Sequence, residues 1–166
     1  MKKEWLLFCY FVLVLGNAFS QKSLETVLNL YNKGDIPYIS VEELCLNKEQ
    51  YTLIDSREWQ EYSVSHLQNA IYAGYNDFNL AQLTEHLPGK QDPIVVYCSI
   101  GVRSEKIAQK LKKAGYQNVL NLYGGIFEWV NSGHPVVNKK QEETLKVHAY
   151  SRVWGLFLKK GIKVYE

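Results

Sequence analysis

Apolar positions switch between helical and strand spacing along this chain, and the switches mark its elements. Residues 23–33 carry Leu24, Val27, Leu28 and Tyr31 on one helical face, with Ser23 placed to cap the helix and Gly34 to end it. Residues 36–39 read as a brief strand. Ser40 caps a second short helix in which Val41, Leu44 and Cys45 share a face, which makes Cys45 a core residue. Residues 51–55 are a buried strand, and 71–74 another. A helix starting at Asn76 or Asp77 presents Phe78, Leu80, Leu83 and Leu87 and is broken by Pro88-Gly89. Residues 93–98 form the central strand. Ile107, Ala108 and Leu111 then share a helix face that Gly115 stops, and 118–122 is the next strand. Strands alternating with helices predict an α/β domain, a mostly parallel central sheet with helices on both faces. Such sheets place their sites at the carboxyl ends of the strands.

Residues 1–20 stand apart from that pattern. Lys2 and Lys3 precede an unbroken apolar run from Trp5 to Leu15, and Ala18-Phe19-Ser20 offers small residues at the positions a signal peptidase reads. Eleven apolar residues are well short of the roughly 20 a bilayer span needs, so the stretch reads as a signal peptide cut after Ser20. Cys9 lies inside the apolar run and leaves with it. The protein is then periplasmic or secreted, with no membrane attachment after cleavage. Of its three cysteines only Cys45 and Cys98 remain, in an oxidising compartment. No Cys-x-x-Cys spacing suggests a metal site or a disulfide framework, and no cofactor is implied. A formal charge of +2 with no basic block argues against nucleic acid as a partner.

The candidate chemistry sits where the central strand ends. Cys98 is delivered to a short loop, Ser99-Ile100-Gly101-Val102-Arg103-Ser104, with a helix starting at once beyond it. A cysteine there faces the positive end of the helix dipole and unpaired backbone amides, and both favour the thiolate. Gly101 lets the loop turn its amides inward as an anion-binding nest, and Arg103 adds a permanent positive charge. The reading is a nucleophilic cysteine in an anion-stabilising cradle.

Cys98-Ser-Ile-Gly101-Val-Arg103-Ser104 resembles the active-site loop of rhodanese-like domains, Cys-x-x-Gly-x-Arg-Ser. Two further motifs stand in the order that family has them. Asp55-Ser-Arg57-Glu58 with Glu61, Tyr62, His66, Leu67 and Ala70 is similar to its Asp-x-Arg segment. Ser65, Gln68 and Asn69 replace a glycine, a proline and a glycine there, in a turn away from the sulfur site. Tyr123-Gly124-Gly125 with Trp129 and Gly133-His134-Pro135-Val136 is similar to its ending. The likeness covers residues 36–137, leaving 21–35 as an N-terminal helix and 138–166 as an extension. It implies a three-layer rhodanese-like fold and a sulfurtransferase that carries sulfane sulfur as a Cys98 persulfide. The donor would be a small sulfur-containing anion such as thiosulfate, or a persulfide; the acceptor would be a thiol or another thiophile. Ser99, Ile100, Gly101, Val102 and Arg103 would form the cradle, with Arg103 either orienting the donor or bracing the loop. Asp55, Arg57 and Ser104 would support it. Ser99 and Ile100 are uncharged where some thiosulfate-using relatives carry basic residues, so weak thiosulfate activity is expected. His66 reads as a hydrogen-bonded core or turn residue, not a general base. Gly124 and Gly125 let backbone pass close to the loop, and Trp129 packs beneath it.

A phosphatase or arsenate reductase on the same fold needs five residues between cysteine and arginine; here Cys98 and Arg103 enclose four. A rival of another class is a non-enzymatic binding or redox-sensing module that meets a protein partner through its tail. Residues 151–160 read as an amphipathic helix with Val153, Trp154, Phe157 and Leu158 inward, and 162–165 as a strand; a hairpin turned at Lys159-Lys160-Gly161 competes with that helix. The tail either wraps the domain or serves as a docking surface or a lid over Cys98.

Overall fold

The computed structural model describes residues 23–87 and 89–165. The signal peptide expected at residues 1–20, and Pro88 of the expected helix break, lie outside the described residues. A five-stranded sheet organises the chain, built from β1 (Tyr38–Ile39), β2 (Thr52–Asp55), β3 (Ile71–Tyr72), β4 (Ile94–Tyr97) and β5 (Val119–Leu122). Its order is β1-β5-β4-β2-β3 and every pairing is parallel. β4 is therefore central. It is flanked on both sides and reads Ile-Val-Val-Tyr with all four residues buried. Its register sets Tyr97 beside Asp55, so β4 and β2 end together.

Side-chain alternation along the strands feeds two cores. Val95 and Tyr97 point to one face, where helix α1 (23–31), α2 (Val41–Asn47) and α6 (Gly125–Asn131) bring Leu24, Leu28, Leu44 and Phe127. Ile94 and Val96 point to the other, against Leu83 of α4 (Leu80–Thr84) and Ile107, Ala108 and Leu111 of α5 (Val102–Lys113). Helices cover both faces of a parallel sheet, and the α/β three-layer architecture read from the sequence is the one observed. Helix α3 (Trp59–Val64) starts past the end of β2 with a Glu58/Glu61 capping box.

Several local expectations fail. Cys45 is exposed, not in the core. The seven-residue α2 buries only the stripe through Val41 and Leu44. Cys45 falls one step off it, 3.6 Å from His134 Nδ1. The helix expected from residue 76 or 77 to 87 shortens to Leu80–Thr84, because Asn79 caps it by accepting from Gln82 N. Tyr31 is exposed and meets Trp154 edge-on at 6.0 Å.

The tail departs most. Val136–Val137 (β6) pairs antiparallel with Glu143–Thr144 (β7), and Lys146–His148 (β8) pairs parallel with Ile162–Val164 (β9). Parallel pairing excludes the hairpin, and the helix over 151–160 is reduced to a 3-10 turn, Trp154–Phe157. Val153 and Leu156 are exposed, while Val147, Ala149 and Leu158 are wholly buried. A Cβ on Gly155 would stand 2.9 Å from Tyr165 Oη and 3.2 Å from Ala149 Cβ, so the tail folds back tightly where a continuous helix would run straight. The tail thus builds its own ribbon, packed on the domain with β8 against α3. No helix among the described residues is long and apolar enough to cross a membrane.

Candidate functional site

Cys98 leaves the central strand and is 1 % exposed. The loop after it can be accounted for bond by bond. The carbonyls of Cys98 and Ser99 accept from Ile126 N and Phe127 N, at 2.9 and 3.1 Å, at the start of α6. The Gly101 carbonyl accepts from Asn121 Nδ2 at 2.8 Å and Asn32 Nδ2 at 2.9 Å. With these carbonyls pulled outward, amides turn inward, and Gly101 N donates to Cys98 Sγ at 3.1 Å. Gly101 has φ +110°, a conformation that side-chain-bearing residues rarely adopt, and it caps α5. Gly125 fills a second special position. A Cβ there would lie 2.3 Å from the Cys98 carbonyl oxygen, so only a glycine lets α6 approach the loop.

Burial pushes the Cys98 thiol up. The Arg103 charge, the Ser104 hydroxyl and the amides of Ser104 and Gly101 outweigh it, and the thiol is held below its ordinary value. Ser104 Oγ lies 3.5 Å from Sγ and 2.7 Å from Asn121 Oδ1, and its one proton can be donated to either. The buried cradle thus favours the thiolate over the thiol.

Arg103 is held as firmly as the sulfur. Its Nη1 and Nη2 donate to the two oxygens of Glu61, at 2.6 and 2.7 Å, and Nη2 also reaches Ser99 Oγ at 2.9 Å. Ser99 Oγ in turn donates to Glu61 at 3.0 Å. Burial alone would raise the Glu61 carboxyl, but Arg103 and then Arg57 keep it below its usual range. On its open side the guanidinium stacks under the Tyr150 ring, 4.7 Å from the centroid. Tyr150 and Trp154 come from the tail. With Ile100 and Val102 they wall a cavity of about 160 Å³ above Cys98.

The structure brings Cys98, Ser99, Ile100, Gly101, Val102, Arg103 and Ser104 together, but it keeps Asp55 and Arg57 off the sulfur. Asp55 binds Arg57 in a fully buried ion pair, with Nε–Oδ1 3.0 Å and Nη2–Oδ2 2.6 Å, and Arg57 Nη2 also donates to the Ser65 carbonyl at 2.6 Å. This clamp fixes the two ends of α3 and so aims Glu61. His66 is buried, with Nδ1 3.0 Å from the Tyr62 carbonyl and Nε2 3.2 Å from Gln141 Nε2, and makes no contact with Cys98. Trp129 is buried in the core and donates to the Pro135 carbonyl at 2.9 Å.

Glu61, Asn121, Tyr150 and Trp154 carry no site role in the sequence reading. Asn121 left a signal: one amide inside an apolar strand, Val-Leu-Asn-Leu. Glu61 stood in a recognised motif, but nothing local says that an acid there will be buried. Nothing local marks the tail aromatics. Among the described residues no group of three or more His, Cys, Asp or Glu side chains converges as metal ligands would.

Comparison with known proteins agrees with this geometry. The rhodanese-like domain family model matches residues 40–132. The thiosulfate sulfurtransferase GlpE of Coxiella burnetii is 30% identical over 102 residues, 60% of this chain and 89% of that protein. A tRNA uridine(34) hydroxylase of Prochlorococcus marinus is 30% identical over 137 residues, 68% of this chain; the chain spans only 44% of that protein's length. Among solved structures, a rhodanese-related protein from Thermoplasma volcanium superposes with a TM-score of 0.54 at 29% identity, over 61% of this chain and 97% of that one. Fold, loop and family model converge, and the chain belongs to the rhodanese-like domain family.

Proposed function

We propose that this protein is an exported sulfurtransferase that carries sulfane sulfur on Cys98. The observation that carries the proposal is the buried Cys98 sulfur, whose thiolate is favoured by the Arg103 charge, Ser104 and Gly101 N. A thiolate so placed attacks the outer sulfur of a donor. With thiosulfate, the Sγ–S bond forms, the donor's S–S bond breaks, and sulfite leaves with the electron pair. The inward amides and the dipole of α5 hold the resulting persulfide anion. An acceptor then takes the outer sulfur and returns Cys98 to the thiolate. Among the described residues no histidine or carboxylate hydrogen-bonds the sulfur, and the surroundings that lower the Cys98 pKa favour the thiolate without a general base.

Thiosulfate is expected to be a poor donor. Ser99, Ile100 and Val102 offer no charge, and both Nη groups of Arg103 are taken by Glu61 and Ser99. A persulfide donor fits better. Export is part of the proposal and rests on the leader pattern at residues 1–20.

The test is intact mass of the protein after thiosulfate or polysulfide, beside Cys98→Ser. A gain of one sulfur atom, removed by cyanide and absent from the variant, is expected. No gain with any donor, from reduced and folded protein, overturns the proposal.

A further inference from the structure

We propose that the tail builds a subsite for the organic part of the sulfur acceptor, and that this subsite selects an uncharged, apolar thiol about the size of a benzene ring. The inference deepens the sulfurtransferase reading and rests on it.

Three observations converge on the one cavity above Cys98. The first is its lining. Ile100 and Val102 of the loop face Tyr150 and Trp154 of the tail, and no carboxylate or lysine lines it. The second is its size. About 160 Å³, open on one side, gives room for a group the size of benzene, which an enclosed apolar cavity of roughly 150 Å³ admits. The third is the state of its one positive charge. Arg103 is bound by both oxygens of Glu61 and covered by the Tyr150 ring, so it presents little free positive charge to an anionic group. A charged acceptor would lose hydration in this cavity without gaining a partner. An apolar one would lose only unfavourable contact with water.

The tail is built to hold this wall. Tyr150 has φ +61°, the left-handed region, which is rare for an aromatic residue. Its amide donates to His148 Nδ1 at 3.1 Å, and that turn sets the ring over Arg103. Trp154 is fixed by Phe157, stacked at 6.2 Å, and by Tyr31 of α1. Strained backbone that aims a side chain into a site marks a place where the surroundings impose the geometry.

The step balances as follows. The Cys98 persulfide anion and an acceptor R–SH give the Cys98 thiolate and R–S–SH. A bond forms between the acceptor sulfur and the outer sulfur. The Sγ–S bond breaks with its electron pair going to Sγ, and the acceptor's proton ends on the product persulfide.

The experiment loads Cys98 with polysulfide, verifies the persulfide by mass, and follows transfer to benzyl mercaptan and to 2-mercaptoethanol. Rates are compared per thiolate. The intact protein is expected to prefer benzyl mercaptan at least tenfold. Trp154→Ala and Tyr150→Asn, the latter chosen because Asn accepts a positive φ, should lower that preference about tenfold when each is compared from protein already carrying the persulfide. Tyr150→Asn should also raise the rate with thiosulfate by uncovering Arg103. Equal rates for the two thiols in the intact protein overturn the subsite, whatever the variants do, and leave the carrier reading standing. Failure of Cys98 to load overturns both.

Discussion

Gly125→Ala tests the claim that the cradle is held open by backbone contact with α6. The added Cβ would stand 2.3 Å from the Cys98 carbonyl oxygen and 2.7 Å from that of Ser99. To reach even 3.0 Å from the nearer oxygen the loop or the helix must move by about 0.7 Å (3.0 − 2.3). Both atoms are main chain, so no rotamer relieves the clash. The movement also stretches the bonds from Ile126 N and Phe127 N, which hold those same carbonyls. Overpacking costs about 1–3 kcal/mol and each of the two weakened bonds about 0.5–1.5 kcal/mol, so a loss of roughly 2–6 kcal/mol is expected. The positive φ adds strain as well, and Gly115→Ala isolates it. Gly115 also has a positive φ, +93°, but a Cβ there meets nothing within 4 Å. Gly115→Ala should therefore cost only about 1–2 kcal/mol. The assay is urea unfolding of both variants, with Cys98 persulfide loading followed by mass. A shift of order 1 Å near a reacting atom costs on the order of 100-fold in rate, and Gly125→Ala should show that loss while Gly115→Ala does not. Equal stability of the two variants, with unchanged loading, would refute the reasoning.

Three further outcomes are expected. Cys98 has a depressed pKa, so its alkylation rate should hold steady from above the ordinary thiol value of about 8.5 and fall only as pH drops through the lower folded value; Ser104→Ala should move that midpoint up. Glu61→Gln removes the partner of Arg103, so thiosulfate kcat/KM should rise severalfold while urea unfolding shows a loss of about 2–4 kcal/mol; an unchanged kcat/KM would mean that Arg103 does not meet the donor. His148 is buried, and burial, reinforced by Arg57 and Arg103 and opposed by Glu61, holds its pKa below the usual histidine value. Stability should therefore be full above about pH 6.5 and decline as pH falls toward the folded value, and a thermal melt series of His148→Gln should lose that part of the decline.

The layers and the sheet were legible because they follow from periodicity, which is local. The buried run at residues 94–97 and the stripe Ile107, Ala108 and Leu111 each point to a face, and the observed helices occupy both faces of the sheet. The misreadings come from short elements. On a seven-residue helix the buried stripe is narrow, so one step of phase separates buried Leu44 from exposed Cys45. In the tail, Val153, Trp154, Phe157 and Leu158 fit a helix pattern, yet the parallel pairing of β8 with β9 decides the path, and that pairing joins residues 16 apart, Lys146 with Ile162. Hydrophobic spacing within the tail carries no information about which strand it will meet.

The site divides the same way. The loop from Cys98 to Ser104 is contiguous, so its residues announce one another in the sequence. What governs its electrostatics comes from elsewhere in the chain: Glu61 from α3, Asn121 from β5 and Tyr150 from the tail. Arg103 shows the consequence. From the sequence it could either orient a donor or brace the loop. In the fold its two Nη groups bind Glu61 and Ser99 and its face lies under Tyr150, which commits it to bracing and leaves its charge largely answered. A residue whose partners come from α3 and the tail has a role that only the tertiary contacts can assign. On the proposed function, substrate choice at Cys98 would then depend as much on Glu61 and Tyr150 as on the loop that bears the cysteine.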